Sequence, residues 1–91
     1  MQVTLYATLR AIAGERRFDV ALSPGADVMT LLEKLAERWP EMREHFFTEE
    51  GGLSRQVNVF VGGRNVRWLD GGATSLDGVA EVDLFPPVAG G

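Results

Sequence analysis

The side chains of this 91-residue chain offer few groups that could do chemistry. It has no cysteine and a single histidine, His45, with no second metal ligand at a suitable spacing. Iron–sulfur clusters, thiolate zinc sites and cysteine nucleophiles are therefore excluded, and a Ser-His-Asp triad is unsupported. Acidic pairs such as Glu49-Glu50 fit solvent-exposed loop charge better than acid–base catalysis. We expect a protein that is not an enzyme and has no metal site.

The group that stands out is the main-chain carboxylate of the final pair, Gly90-Gly91. Because glycine has no side chain, such an end can enter a narrow enzyme channel. Gly-Gly also occurs at 51–52, 62–63 and 71–72, so the dipeptide alone is a weak signal. The residues before it must strengthen the interpretation.

Those residues favour a projecting tail. Pro86 and Pro87 favour an extended polyproline conformation, so residues 86–91 could reach about 18 Å at roughly 3.1 Å per residue. Val88 and Ala89 are small enough to thread through a slot. An activating enzyme could let the terminal carboxylate attack the α-phosphate of ATP, after which a sulfur donor or an amine would displace AMP. The chain lacks the glycine-rich phosphate-binding motifs, so we expect the partner to bind ATP and this chain to bind no cofactor.

The hydrophobic pattern predicts the elements that must carry this tail. Alternation predicts strands at 2–9 and over Phe18 to Leu22. Asp27 stands at the N-cap of a helix whose apolar stripe runs from Val28 to Trp39 and ends at Pro40. Further segments complete the order β-β-α-(short helix)-β-β-β: a short helix at 42–47, and strands at 57–61, at 64–68 and around 82–84, with Gly62-Gly63 as a hairpin turn.

This order predicts an α+β fold, a β-grasp (ubiquitin-like) roll with a mixed sheet and one main helix packed on one face. The last strand is expected beside the first, near the centre of the sheet. We expect residues 1–85 to form the β-grasp domain and residues 86–91 an extended C-terminal tail.

Three aromatic residues are predicted to share the sheet face that the helix leaves open. If the valines and leucines of the central strands face the helix, then Tyr6, Phe60 and Phe85 must face the other way. Soluble monomers rarely leave large apolar patches unused, so these rings are predicted to bind a partner protein. Cover by the loop around Trp68 and Leu69, or by a second copy of the chain, is the alternative.

Charge and hydropathy narrow the class of partner. With 13 acidic against 9 basic residues, the net charge of -4 argues against nucleic acid and favours a protein with a basic surface. No stretch resembles a membrane span, and no basic segment precedes the first strand, so we expect a cytoplasmic protein.

With these features, the chain resembles the MoaD/ThiS family of ubiquitin-like sulfur carriers over nearly its whole length, and most closely the small subunits of molybdopterin synthase. The closing segment, residues 84–91 with the sequence LFPPVAGG, is highly specific. Weaker similarities lie in residues 5–14, in the helix from Val28 to Leu35, and in Val57-Asn58-Val59 with Gly63.

The resemblance implies that an E1-like enzyme adenylates Gly91, that a sulfur donor converts it to a thiocarboxylate, and that the sulfur passes to an acceptor. In the molybdopterin branch the tail, Pro86 to Gly91, enters the large synthase subunit, and the acceptor is a cyclic pterin precursor of the molybdenum cofactor. Residues 67–69 and 73–74 are also similar to carriers that serve cysteine synthesis, and tRNA thiolation is a further possible acceptor pathway.

Two other functions stay open at this point. Some relatives are joined to protein lysines as ubiquitin is, and Lys34 is the only lysine of this chain through which side-chain-linked polymers could grow. A plain interaction domain with an inert tail is the remaining alternative.

Overall fold

A computed structural model of the chain describes residues 1–87. The strands and α-helices of this part follow in the order β1 (Gln2–Leu5), α1 (Ala7–Ala13), β2 (Arg17–Asp19), α2 (Val28–Arg38), α3 (Arg43–Phe46), β3 (Asn58–Val61), β4 (Arg64–Asn65) and β5 (Glu81–Phe85). Short 3-10 helices span Pro40–Met42, Val66–Trp68 and Gly71–Ala73.

The strands form one mixed sheet in the order β2-β1-β5-β3-β4. β5 is central and lies parallel to β1 and antiparallel to β3, while the two outer pairs are antiparallel. Leu84 of β5 is in register with Leu5 on one side and with Val59 on the other. The expected placement of the last strand beside the first, at the centre of the sheet, is confirmed.

Helix α2 packs its apolar stripe against one face of this sheet, as its sequence period predicts. The Asp27 carboxylate accepts hydrogen bonds from the backbone N–H and the hydroxyl of Thr30, both at 2.9 Å, and so caps the first turn. The helix ends before Trp39, and Pro40 begins the next turn. The core between helix and sheet includes the fully or almost fully buried side chains of Val3, Leu5, Leu31, Leu32, Leu35, Val59, Val82 and Leu84.

The first strand is shorter than its alternation predicts, and the prediction of a strand over 2–9 is wrong beyond residue 5. Ala7 has a φ of 51°, which breaks the extended backbone, and α1 begins there. The apolar residues that continue the alternation also fit a helix, because Leu9, Ile12 and Ala13 lie three and four positions apart and pack against the core. A short apolar run of this kind satisfies both periods.

Two other strands end earlier than predicted. One reaches the end of the neighbouring strand, and the other turns into the core. β2 stops at Asp19, the partner of Gln2 at the first residue of β1, and the pairing beyond it consists of two hydrogen bonds between Val20 and Met1, at 2.9 and 3.3 Å. The return strand predicted over 64–68 keeps only its first two residues. Val66 turns into the core, and the Asn65 side chain accepts the Arg67 N–H at 2.9 Å in a 3-10 turn.

The predicted hairpin turn at Gly62-Gly63 connects β3 to β4. Both glycines have positive φ values, 57° and 83°, which the twist of a two-residue hairpin requires. The short helix predicted at 42–47 is present as Pro40–Met42 and α3. Within residues 1–87, no helix combines the length and the apolar composition needed to cross a membrane.

Candidate functional site

The sheet face opposite α2 is set by the alternation of side chains along the central strands. In β5, Val82 and Leu84 are buried in the core, so Asp83 and Phe85 point to the open face. In β3, Val59 is buried in the core, and Asn58 and Phe60 share the open face. The predicted faces of Val59, Val82 and Leu84, and of Phe60 and Phe85, are therefore the observed ones.

Tyr6, Phe60 and Phe85 lie in direct contact on this face and are called the aromatic patch below. The rings of Tyr6 and Phe85 are stacked, with 4.1 Å between centroids and 11° between planes. Phe60 meets Phe85 edge-on, at 5.4 Å and 78°. All three side chains are partly exposed in the isolated chain. The sequence prediction that these rings share one face is confirmed in geometry, while their role in binding stays a prediction.

The turn from β1 into α1 positions Tyr6. Its backbone N–H donates to the Leu84 carbonyl at 3.2 Å, which continues the pairing of β1 with β5 for one more residue. The positive φ of the next residue, Ala7, then turns the chain into the helix. Because a non-glycine residue in this region carries strain of order 1 kcal/mol, the packing around it must hold the turn in place.

The patch contains a carboxylate that our sequence analysis missed. The Tyr6 hydroxyl donates to Oδ1 of Asp83 at 3.1 Å. Asp83 is partly buried, and it lies opposite Thr4 on β1 and Phe60 on β3. The sequence contains the information needed to find it, because Asp83 is two residues from Phe85 in a strand and must therefore lie on the same face.

The patch borders the start of the C-terminal segment. A depression of about 490 Å³ is lined by Tyr6, Asn58, Phe60, Gly63, Asp83, Phe85 and Pro86. β5 ends at Phe85, because Pro86 has no N–H with which to continue the ladder. Pro86 is partly buried beside the rings and Pro87 is exposed. The other residues of the predicted tail, Val88, Ala89, Gly90 and Gly91, lie outside the described residues.

The loop that was an alternative cover for the patch lies elsewhere. Neither Trp68 nor Leu69 lines the depression, and Trp68 is 84% exposed to solvent. Cover by this loop is therefore wrong for the described residues 1–87. Cover by a second copy of the chain stays an alternative prediction.

The remaining candidate side chains are separate from the patch. Lys34 lies on the outer face of α2, exposed, with Nζ donating to the Ala21 carbonyl at 2.6 Å. His45 is partly buried in α3, and its Nε2 lies 4.0 Å from a Glu44 carboxylate oxygen. In the described part of the chain, no three His, Asp or Glu side chains come together as possible metal ligands.

Comparison with known proteins places this geometry among ubiquitin-like proteins. A model described as the ThiS family matches residues 3–91. Small archaeal modifier protein 3 of Haloferax volcanii is 34% identical over 91 residues, which are 100% of this chain and 98% of that protein.

Solved structures agree with the sequence comparison. The crystal structure of SAMP1 from Haloferax volcanii matches 99% of this chain and 97% of its own, with a TM-score of 0.78 and 31% identity. A chain in the crystal structure of the BexX/CysO complex of Amycolatopsis orientalis matches 99% of this chain and 98% of its own, with a TM-score of 0.78 and 28% identity. The expected β-grasp fold and the resemblance to ThiS- and MoaD-type proteins are confirmed.

Proposed function

The chain belongs to the ThiS family of ubiquitin-like sulfur carriers and modifiers, and from that premise we propose that it carries sulfur on the carboxyl group of Gly91. An E1-like enzyme would adenylate this carboxyl group, and a sulfur donor would convert it to a thiocarboxylate. The chain would be the substrate and the carrier, and its partners would be the catalysts.

The proposed reaction has two steps. A carboxylate oxygen of Gly91 attacks the α-phosphorus of ATP, the bond to the β-phosphate breaks, and pyrophosphate leaves. A hydrosulfide or persulfide sulfur then attacks the acyl carbon, and AMP leaves with the oxygen; a persulfide sulfur also needs a thiol to reduce its remaining S–S bond. One terminal oxygen has been replaced by sulfur. Because the activating step consumes ATP, we propose that it takes place in the cytoplasm.

The observation that carries the proposal is the continuity between the aromatic patch and the start of the tail. Phe85 belongs to both, as the last residue of the central strand and as the ring that contacts Tyr6 and Phe60. A partner seated on the patch would therefore hold the chain next to the point where Pro86 leaves the sheet. Apolar contact at the patch supplies affinity, while the segment beyond it reaches the reacting groups.

For the acceptor we propose molybdopterin synthesis first. The supporting observation is the likeness of residues 84–91 to the closing segment of MoaD-type proteins, which implies a large synthase subunit as partner and a cyclic pterin precursor as acceptor. Cysteine synthesis or tRNA thiolation is the next acceptor pathway to test, and the likeness to a chain of the BexX/CysO complex favours testing it.

Intact mass spectrometry tests the carrier proposal. The protein is incubated with ATP, an E1-like enzyme and a sulfur source, and we expect a mass gain equal to the difference between sulfur and oxygen. A variant that lacks Gly90 and Gly91 should keep its fold and show no gain. Absence of the gain in the intact chain, with an enzyme that modifies another ThiS-type protein, would refute the carrier function.

Protein modification is the second candidate, because a relative of 34% identity is named a small archaeal modifier protein. In this case an amine of a target lysine displaces AMP or the sulfur and an isopeptide bond forms. Gly-Gly remnants on lysines of other proteins would support this function. Lys34→Arg should abolish side-chain-linked polymers of the chain and leave the thiocarboxylate yield unchanged, since the arginine keeps the positive charge but cannot be acylated in the same way.

A further inference from the structure

The carboxylate of Asp83 lies beside the three aromatic rings on the open face of the sheet. Tyr6 donates a hydrogen bond to it at 3.1 Å, and Phe60 on β3 and Thr4 on β1 lie opposite it. The buried Thr4 hydroxyl accepts a hydrogen bond from Arg17 Nε at 3.2 Å. Within the described part of the chain, no lysine or arginine nitrogen lies within 4.0 Å of the Asp83 carboxylate. An ionised carboxylate can accept about four hydrogen bonds, so the described chain satisfies only part of its capacity.

Docking on the aromatic patch would remove the remaining water from this carboxylate. A carboxylate that loses its water without gaining a partner is strongly disfavoured, whereas one that gains a charged donor is not. A partner surface made only of apolar side chains would therefore bind poorly here. The partner must bring a positively charged donor to Asp83.

The surroundings of Asp83 select among positively charged side chains. A planar guanidinium can bind a carboxylate through two parallel hydrogen bonds and can also stack on an aromatic ring, while an ammonium is a strongly hydrated point charge. Tyr6 and Phe85 are stacked beside Asp83 and present aromatic surface next to the carboxylate. The site therefore suits arginine better than lysine.

Resting on the proposed function, we propose that Asp83 receives an arginine of the activating enzyme, with its guanidinium bound to the carboxylate and packed against the aromatic patch. The hydroxyl of Tyr6 acts as a positioning group that orients the carboxylate by donating to one lone pair of Oδ1, so that the other lone pair of Oδ1 and the Oδ2 atom can both accept from the arginine. The net charge of -4 favours the approach of such a basic surface.

The test compares two acidic residues of one strand. Asp83→Asn keeps the shape and removes the charge, while Glu81→Gln removes the same charge two residues away on the same face, outside the patch. We measure KM and kcat for the chain in ATP–pyrophosphate exchange by the activating enzyme. Asp83→Asn should raise KM at least about tenfold with little change in kcat, because it weakens a charged pair that forms on docking. The KM of Glu81→Gln should stay within about twofold of the wild-type value.

Two outcomes would overturn the proposal. The first is an unchanged KM for Asp83→Asn. The second is an equal rise in KM for Asp83→Asn and Glu81→Gln, which would mean that the negative charges attract the enzyme at long range without a specific ion pair. Both variants are checked by thermal unfolding so that a loss of fold is not mistaken for a loss of binding. Failure of the wild-type chain to gain sulfur would refute the proposed function instead, so the two failures are distinguishable.

A second measurement needs no enzyme. The chain is titrated with N-acetyl-arginine amide, and with the neutral N-acetyl-citrulline amide as control, while NMR follows the ring protons of Tyr6, Phe60 and Phe85. We expect shifts with the arginine compound that are much smaller with citrulline and are lost in Asp83→Asn. Equal shifts with the two compounds would contradict a guanidinium site.

Discussion

Phe60 belongs to the open face of the sheet and not to the core. Its ring contacts Phe85 edge-on at 5.4 Å between centroids, and its strand neighbours Val59 and Val61 are the residues that face the helix. A change at Phe60 therefore alters the aromatic patch from the solvent side. The core lies on the other face of the sheet.

Phe60→Asp tests the patch at this scale. It removes one ring and places a second carboxylate beside Asp83, so we expect at least a tenfold loss of affinity for the activating enzyme, of the size seen at central interface residues. Isothermal titration calorimetry measures this loss. The control Phe60→Leu keeps an apolar side chain and should bind within a few fold of wild type. Equal affinity of Phe60→Asp and wild type would show that partners use another surface.

At the scale of elements, α2 is the helix whose ends and face follow most directly from its residues. Its N-terminus is held by the reciprocal hydrogen bonds of Asp27 and Thr30, and its stripe of buried residues follows the helical period. The charged residues of its outer face also reach neighbouring elements. Arg38 pairs with Glu15 at 3.3 Å, and Glu33 pairs with Arg43 at 3.2 Å. These exposed pairs contribute little to stability.

Asp27→Ala tests the cap of this helix. The variant should lower the free energy of unfolding by about 1 kcal/mol, because the backbone N–H of Thr30 loses its acceptor. Asp27→Asn keeps an oxygen acceptor at the same place and should lower the free energy of unfolding by only a few tenths of a kcal/mol. Urea denaturation followed by circular dichroism measures both. An equal loss for the two variants would mean that charge matters more than the cap.

At the scale of the whole molecule, β5 connects the core to the open face of the sheet. It is the central strand, its Val82 and Leu84 belong to the core, and its Asp83 and Phe85 belong to the open face. The strand then leads into Pro86. Alternate residues of the same strand therefore serve the core and, in the function we propose, the binding of a partner.

Leu84→Ala tests this division. Leu84 is fully buried between Leu5 and Val59, so the variant should lose about 2–5 kcal/mol of unfolding free energy. Since domains of this size have about 5–15 kcal/mol in total, the midpoint of urea unfolding should fall markedly. The exposed Glu81→Ala on the same strand should change stability by less than about 0.5 kcal/mol. A loss below about 1 kcal/mol for Leu84→Ala would contradict its place in the core.

Sequence patterns predicted well whatever depends on neighbours along the chain. The helical period of residues 28–38 predicted α2 and its buried face, and alternation placed Tyr6, Phe60 and Phe85 on one face of the sheet. The ends of β1 and β2 were predicted less well. A strand ends where its partner ends or where the backbone turns, as at Ala7, and neither is visible in a run of alternating residues.

The sequence by itself determined which chemistry this protein can offer: no thiol, one imidazole, one lysine and a final Gly-Gly whose carboxylate we propose as the group that is activated. Only the tertiary structure decided what surrounds the start of that segment. Tyr6 and Asp83 are 77 residues apart in the chain, and the parallel pairing of β1 with β5 joins them by a hydrogen bond. Periodicity reports which face a side chain takes, because that is local. Which side chains meet on that face depends on strand pairing, which is set by contacts distant in sequence.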